Sequence, residues 1–254
     1  MRMRKRAAAW LGAAVAIGLA AAGAQAAELK VLSSNAIKTV LEELIPQFEK
    51  ATEHKVALTL GTAAELKVAI EKGAAFDVAI GTAAGIDDLA KQGKVDPNAK
   101  AALARSGVGM AVKKGAPKPD ISTTEAFTKT LLDAKSICFV EQGNSGIYLK
   151  TLFVRLGIAE QIKDKLKPLP ASNPAAHAVA NGEAEIGMTQ ISEILPYAGA
   201  ELVGPLPAEI QLTTVFAAGV AANSKETAAA KALVEFLNAP AANVVKKAKG
   251  LEPG

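Results

Sequence analysis

The amino-acid sequence predicts an α/β protein with two lobes, each a mainly parallel sheet flanked by helices. Apolar residues change between strand spacing and helical spacing along residues 27–254, which gives a repeated β-α order. Such an order is typical of a parallel sheet with helices on both faces. Stretches rich in Gly and Pro near residues 107–119 and 204–212 bracket a middle segment, which we interpret as the second lobe.

The first part of the chain contains three strand-helix units. Residues 29–32 are a short apolar strand, and residues 37–50 carry Leu41, Leu44 and Phe48 at helical spacing. The two later units are predicted as strands at 55–60 and 76–80, with helices at 63–72 and 84–92.

The β-α order is interrupted after residue 112 and then resumes. A strand at 107–112 is followed by a Lys-, Gly- and Pro-rich run at 113–119. Beyond it we expect helices at 124–133, 147–156, 225–237 and 241–249, and strands at 137–140, 185–189, 201–204 and 213–220. We therefore assign residues 27–106 and 213–254 to a discontinuous first lobe, and residues 107–212 to the second lobe.

The first 26 residues have the pattern of an export signal. A basic start at residues 2–6 precedes an uncharged apolar run at 7–23, and Ala24-Gln25-Ala26 offers a small-x-small cleavage site. An uncleaved membrane anchor is the alternative, but this run is short for a span that needs about 20 residues. We expect cleavage near Ala26 and a periplasmic protein.

Removal of this signal changes the charge of the protein. Four of the 29 Lys and Arg residues lie in it and no acidic residue does, so 25 basic residues remain against 25 acidic ones. The basic pI near 9.0 is therefore no argument for a nucleic-acid or membrane partner, and we expect no nucleic-acid partner. Cys138 is the only cysteine, which excludes an internal disulfide, and its apolar surroundings predict a buried, inert thiol.

The sequence lacks the spacing of several known chemical sites. Two histidines and one cysteine give no zinc motif, and no G-x-S-x-G nucleophile motif occurs. Gly93-Lys94-Val95 does not complete a phosphate-binding loop, because Ser or Thr should follow the lysine. We therefore expect no metal and no cofactor.

Three predicted strand-to-helix turns have residues suited to an anion. In open α/β sheets, ligands bind beyond the carboxyl ends of the strands. Free N–H groups at the start of a helix favour an anion there, and small residues let it approach the backbone. Ordinary helix N-caps use the same residue types and are the alternative. The candidate binding residues in these turns are Ser33, Ser34, Asn35, Gly61, Thr62, Asn144, Ser145 and Gly146.

Five segments spread over nearly the whole exported chain carry a resemblance to a known family. They are LKVLSS at 29–34, AELKVAIEKG at 64–73, FDVAI at 76–80, SGIY at 145–148 and FLNAPAA at 236–242. In these segments the chain resembles periplasmic molybdate-binding proteins. The resemblance implies a type II periplasmic solute-binding fold, whose two lobes close on a ligand. It also implies a monomer that delivers a small anion to an inner-membrane ABC transporter permease.

The oxyanion donors of that family are only partly present. The first serine position of molybdate binders falls at Ala36, with Ser33 and Ser34 slightly earlier, and the serine-rich second loop keeps one hydroxyl, at Thr62. Their tyrosine position falls near residues 188–190. Several donors are therefore missing, which argues against molybdate and leaves another small oxyanion or an organic carboxylate.

Other polar residues are candidates to replace the missing donors. Arg105 precedes the strand that enters the second lobe, and a guanidinium grips a carboxylate with two hydrogen bonds. A solvated or ion-paired surface arginine is the equal alternative. Asn144, Thr189 and Gln190 are further candidates for polar contacts.

The chain is also similar to bacterial aconitate isomerases, which implies a second hypothesis. On the same fold, such an enzyme moves a proton between carbon positions of a small tricarboxylate and needs a base as well as an anion site. His177, near a predicted helix start, and Glu141, beside the second-lobe turn, are weak candidates for the base. The leading hypothesis remains a periplasmic solute-binding protein for a small anion, and a periplasmic isomerase is the alternative.

Overall fold

The computed structural model describes residues 26–254. The predicted export signal lies outside these residues apart from its last position, Ala26. Within this range, no helix has the length and apolar character needed to cross a membrane.

The described chain alternates strands and helices. The strands are β1 Glu28–Ser34, β2 Lys55–Gly61, β3 Val78–Thr82, β4 Val95–Lys113, β5 Ile137–Val140, β6 Leu166–Leu169, β7 Ile186–Gln190, β8 Ala200–Pro205, β9 Thr213–Ala221 and β10 Glu252–Pro253. The helices are α1 Lys38–Thr52, α2 Ala63–Glu71, α3 Ala83–Lys91, α4 Thr124–Asp133, α5 Asn144–Arg155, α6 Ala159–Ile162, α7 Ala175–Ala180, α8 Ile191–Ile194, α9 Thr227–Asn238 and α10 Pro240–Ala248.

The strands form a continuous sheet in the order β2-β1-β3-β9-β4-β7-β5-β6, with β8 and β10 also paired to β4. Strands β1, β2 and β3 are parallel to one another, as are β5, β6 and β7. The two central strands, β9 and β4, run antiparallel to their neighbours. Two parallel groups joined through antiparallel strands confirm the predicted fold class.

Strand β4 connects the two parallel groups and is longer than the sequence indicates. Its first part, to Gly107, pairs with β9, and its last part, from Val108, pairs with β7 and β8. The sequence predicts only the strand at 107–112, because residues 95–106 contain Pro97 and no clear apolar alternation. Pairing with β9 and the register shifts along that pair extend the strand, and these are tertiary effects.

Two large apolar clusters lie on either side of this connection. The first combines β1, β3 and β9 with α1 and α9, and includes the buried Phe48 and Phe216. The second combines β4, β5 and β7 with α4 and α5, and includes Phe127, Phe139 and Phe153. Each fully buried ring of this kind contributes about 1.5–3 kcal/mol. No residue is shared between the clusters, and we propose the lobe boundaries at 106/107 and 212/213 on that basis.

Cys138 lies on β5 and is fully buried. Burial raises the pKa of its thiol to about 12. The thiol is therefore protonated at neutral pH, and its Sγ lies 3.6 Å from the main-chain oxygen of Ala175. The predicted burial of this cysteine is confirmed, and its inertness stays a prediction that the raised pKa supports, because the thiolate is the reactive form.

Candidate functional site

A cleft of about 350 Å³ lies where the two halves of the sheet face each other. Its walls come from five strand-to-helix connections: β1-α1, β2-α2, β5-α5, β6-α7 and β7-α8. The parallel register aligns Ser34 at the end of β1 with Gly61 at the end of β2, so that these two loops lie side by side. The cleft therefore occupies the position where open α/β sheets bind ligands.

The β1-α1 loop and the first turns of α1 form one wall. Ser34 and Asn35 line the cleft, and the Ser34 hydroxyl accepts a hydrogen bond of 3.4 Å from the Ala36 main chain. Thr39 also lines this wall. Ser33 is fully buried behind it, where its hydroxyl donates to the Ser34 carbonyl at 3.3 Å, and it is not part of the lining.

The β2-α2 turn contributes Thr62, which also caps α2. The Thr62 hydroxyl accepts from the Glu65 main-chain N–H at 3.2 Å, while the Glu65 carboxylate accepts from the Thr62 N–H at 2.9 Å. This reciprocal pair is a capping box. The side chain of Thr62 is therefore already used by the helix, as the N-cap alternative predicts. Gly61 does not line the cleft.

The β5-α5 turn forms the facing wall. Asn144 and Ser145 line the cleft, and the Asn144 amide donates a 2.7 Å hydrogen bond to Thr214 Oγ1 on β9. Gly146 lies behind them and is needed for packing, since an added Cβ would lie 2.0 Å from the Val140 carbonyl oxygen. Only glycine allows α5 to begin this close to β5.

The β7-α8 segment carries the most unusual chemistry. Thr189, Gln190 and Glu193 all line the cleft. Gln190 Nε2 donates to Thr214 Oγ1 at 3.1 Å, and Thr189 Oγ1 donates to Glu193 Oε2 at 2.5 Å. Burial raises the pKa of the Glu193 carboxyl group, and the hydrogen bonds from Thr189 and the Gln190 main chain only partly oppose this.

Tyr197 follows α8 and faces the same cleft. Burial raises the pKa of its phenol, and the nearby carboxylates of Glu193 and Glu42 raise it further. Glu42 lies on α1 and forms an exposed ion pair with Lys38, at 3.7 Å between Nζ and Oε1. The cleft thus contains two carboxyl groups and a phenol but only one lysine.

Three polar atoms in the cleft wall have no hydrogen-bond partner among the atoms of the protein. They are Thr39 Oγ1, Gln190 Oε1 and Ser192 Oγ, and no other buried side-chain nitrogen or oxygen in residues 26–254 lacks a partner. All three residues line this cleft. Buried polar groups are nearly always paired, because leaving one unpaired costs about 1–3 kcal/mol. Their concentration in one place is the pattern of a site that pairs with a ligand.

Most of the binding residues predicted from the sequence line the cleft, and some do not. Seven line the cleft: Ser34, Asn35, Thr62, Asn144, Ser145, Thr189 and Gln190. Four do not: Ser33, Gly61, Arg105 and Gly146.

Arg105 requires a correction. Its side chain is about half exposed; Nε donates to the Pro253 carbonyl at 3.1 Å and Nη2 lies 3.6 Å from Glu252. Strand β10 pairs with β4 at this position, so that its residues provide the partners of the guanidinium. The predicted grip on a ligand carboxylate is therefore not supported.

The two weak candidates for a base also lie outside the cleft lining. His177 is exposed on α7 and its ring contacts Asn173 and Asn181. Glu141 is exposed and forms an ion pair of 3.5 Å with Lys150. Four ionisable side chains do line the cleft, and the sequence analysis predicts none of them: Lys38, Glu42, Glu193 and Tyr197. Glu193 and Tyr197 lie in and after α8, which has only four residues and shows no periodicity in the sequence.

A polar cleft between two parallel-stranded halves defines the protein as a two-lobed solute-binding protein. The profile of the bacterial extracellular solute-binding proteins matches residues 29–252, and the chain belongs to that family. It is therefore a solute-binding protein of the ABC transporter type. No group of three or more His, Cys, Asp or Glu residues in the described chain is placed to hold a metal ion.

The individual relatives include a protein named as an enzyme as well as binding proteins. The chain is 33% identical over 231 residues to the aconitate isomerase of a Pseudomonas species, covering 89% of this chain and 87% of the relative. It is 29% identical over 247 residues to the molybdate-binding protein ModA of Azotobacter vinelandii, covering 93% and 94%. The solved structure of the Azotobacter vinelandii periplasmic molybdate-binding protein superposes with a TM-score of 0.75 at 22% identity, covering 89% and 99%.

Proposed function

We propose that this chain is a periplasmic binding protein that closes on a small anion and delivers it to an inner-membrane ABC permease. The single observation that carries the proposal is the set of three unpaired polar atoms, which all belong to residues of one cleft. A ligand that pairs with them recovers the cost of leaving them unpaired.

The remaining polar groups of the cleft favour an anion held by neutral donors. Helices α2 and α5 both begin at the cleft, where Thr62 is the N-cap of α2 and Asn144 and Ser145 are the first residues of α5. Their free main-chain N–H groups and the positive ends of their dipoles favour negative charge. Lys38 is the only cationic side chain in the lining, and it is already paired with Glu42.

The size of the cleft supports an organic acid as well as a tetrahedral oxyanion. A cleft of about 350 Å³ lies near the lower end of the range of about 300–1,000 Å³ that is usual for small-molecule pockets. A di- or tricarboxylate fits this space, and a single tetrahedral oxyanion fills only part of the cleft. Molybdate-binding relatives make molybdate a necessary member of any test, although several donors of that family are absent here.

The test is a ligand screen on residues 27–254, by thermal shift and then by calorimetry. The anions are molybdate, tungstate, sulfate, citrate, cis-aconitate and trans-aconitate, with chloride at matched ionic strength as the control. A true ligand at a thousand times its dissociation constant stabilises the fold by about 4 kcal/mol. Stabilisation by none of them would count against the proposal.

A second candidate function is isomerisation of a small tricarboxylate in the same cleft. The 33% identity to an aconitate isomerase favours it, as does the placement of Glu193 and Tyr197, which are groups able to accept and donate a proton. Incubation with cis-aconitate, followed by chromatography for the trans isomer, separates the two functions. Turnover that Glu193→Gln abolishes would favour the enzyme, and binding without turnover would favour transport.

Export and oligomeric state are part of the same proposal. The basic and apolar start of the chain supports a signal that is cleaved near Ala26. Expression of the full chain in a Gram-negative host, followed by mass spectrometry of the periplasmic fraction, determines the mature amino terminus. Light scattering on the purified protein tests the predicted monomer.

A further inference from the structure

We propose that Glu193 couples anion binding to a proton, so that the bound anion and the Glu193 carboxyl group share one proton between them. This inference deepens the proposed function and rests on it. It also makes Glu193 the residue that selects among anions. An anion that carries its own proton can bind beside this carboxylate directly, whereas an anion without one binds only with uptake of a proton from solvent.

The position of Glu193 is the first step. Its side chain lines the cleft one residue after Ser192 and three after Gln190, two of the residues with unpaired buried atoms. Thr189 Oγ1 holds one carboxylate oxygen at 2.5 Å. An anion that pairs with Ser192 and Gln190 therefore shares one cleft with this carboxyl group.

The second step is that no cation neutralises Glu193. No ion pair of Glu193 is present within residues 26–254, and the charged groups on the elements around α8 have other partners. Those groups are Lys38 with Glu42 on α1, Lys249 with Glu43 beside α10, Lys118 with Glu201 on β8, and His177 on α7, which contacts Asn173 and Asn181. Lys113, at the end of β4, is exposed.

The third step is the energy of two like charges. A carboxylate and an anion in contact in a partly buried cleft disfavour each other's ionised form, and such pairs keep one proton between them. Desolvation of Glu193 acts in the same direction, and Tyr197 adds no positive charge. The bound anion and the Glu193 carboxyl group together then carry one negative charge fewer, and the neutral donors of the cleft have less charge to stabilise.

The proton has two possible sources, which differ between anions. Hydrogen phosphate carries a proton at neutral pH and donates it to the Glu193 carboxylate as a hydrogen bond. Sulfate has the same tetrahedral shape but carries none, so one proton is taken up from solvent as it binds. Citrate, with several carboxyl groups, represents the organic acids.

The experiment counts protons with sulfate, hydrogen phosphate and citrate as probes. Calorimetry at one pH in buffers of different ionisation enthalpy gives the number of protons taken up per anion bound. At a pH above the pKa of Glu193 in the unliganded protein, which the pH dependence of sulfate affinity locates, we expect about one proton for sulfate and fewer for hydrogen phosphate. Above the pKa of Glu193 in the unliganded protein, the sulfate dissociation constant should rise about tenfold per pH unit.

Glu193→Gln removes the titrating group and keeps the shape of the side chain. In this variant we expect no proton uptake with sulfate and a flat pH dependence of affinity between pH 6 and 8.5. Glu141→Gln is the matched control, because Glu141 is an exposed carboxylate beside the cleft loop and does not line the cleft. The control should keep the proton uptake of the unaltered protein.

The outcomes separate this inference from the proposed function. Absence of binding by all three probes and by the wider screen contradicts the function itself. Binding of sulfate without proton uptake, or binding of any probe with the same affinity and pH profile in Glu193→Gln as in the unaltered protein, overturns the role of Glu193 and leaves the function standing. The proton count on the unaltered protein decides the question even if the variant folds poorly.

Discussion

The side-chain amide of Asn144 donates a 2.7 Å hydrogen bond to the hydroxyl oxygen of Thr214, 70 residues further along the chain. Gln190 Nε2 donates to the same oxygen at 3.1 Å. Thr214 lies on β9 opposite Ser106 of β4, where the chain passes between the two apolar clusters. One buried hydroxyl therefore links the β5-α5 turn and the end of β7, which both line the cleft, to strand β9 and through it to β4.

Replacing Thr214 with Val should destabilise the protein by about 2 kcal/mol. Valine keeps the shape of the side chain but removes the acceptor of both amide groups. The Gln190 amide is buried, and an unpaired buried group costs about 1–3 kcal/mol, whereas the exposed Asn144 amide can bond to water. Denaturant unfolding followed by circular dichroism measures the change. Thr59→Val, at an exposed position on β2, is the control and should alter stability by no more than about 0.5 kcal/mol. Equal effects of the two variants would show that the Thr214 network contributes nothing.

Replacing Ser192 with Ala should weaken ligand binding without weakening the fold. The Ser192 hydroxyl is buried and has no protein partner, so its removal breaks no hydrogen bond of the protein. A hydrogen bond to the ligand is worth about 0.5–1.5 kcal/mol, and loss of one near the upper end lowers affinity about tenfold. Calorimetry with the strongest anion of the screen measures this loss.

Ser122→Ala, at an exposed position before α4, is the control for Ser192→Ala and should bind the anion as the unaltered protein does. The stability of both variants is measured in the absence of ligand. A large loss of stability in Ser192→Ala with unchanged affinity would assign this hydroxyl to the fold rather than to the site.

The sequence predicts the elements well where local patterns decide them. Helix α1 buries Val40, Leu41, Leu44 and Phe48, the apolar face that its spacing indicates. Glycines 73 and 93, which adopt positive φ of 97° and 69°, follow α2 and α3 closely. The polar turns at Ser34, Thr62 and Asn144 line the cleft, because parallel strands bring their carboxyl ends to one edge.

The sequence predicts the site poorly where distant contacts decide it. Arg105 has the right chemistry for an anion, but pairing of β10 with β4, almost 150 residues apart, gives its guanidinium another partner. Glu193 and Tyr197 lie in and after a helix of four residues, too short to produce a periodic pattern. The unpaired state of Ser192 and Thr39 depends on side chains from several elements and has no local signature.

Replacing Gly146 with Ala should destabilise the protein by more than about 2 kcal/mol. The new Cβ would lie 2.0 Å from the Val140 carbonyl oxygen, a main-chain atom that moves only if β5 or α5 moves. The amino end of α5 forms a wall of the cleft, so that anion affinity should fall as well. Gly81→Ala is the matched control, since its Cβ would find its nearest neighbours at 3.9 Å. Similar unfolding free energies for the two variants would contradict this account of α5.

The ligand-free protein should lose stability relative to Glu193→Gln as the pH rises. Burial raises the pKa of Glu193 in the folded state, so that the folded protein holds this proton more tightly than the unfolded chain does. The stability that Glu193 contributes is therefore fully present below the unfolded pKa of about 4.3, and it is lost as the pH rises through the folded pKa.

Denaturant unfolding of both proteins from pH 4.5 to 8.5, in buffers without polyvalent anions, measures this difference. The free energy of unfolding of the unaltered protein should fall relative to that of Glu193→Gln across this range, and the variant should be the more stable of the two at the upper end. Glu141→Gln lacks a carboxylate that is exposed and ion-paired, so its curve should stay parallel to that of the unaltered protein. A parallel curve for Glu193→Gln would mean that the Glu193 carboxyl group is solvated in the free cleft, and the proton coupling proposed for it would lose its physical basis.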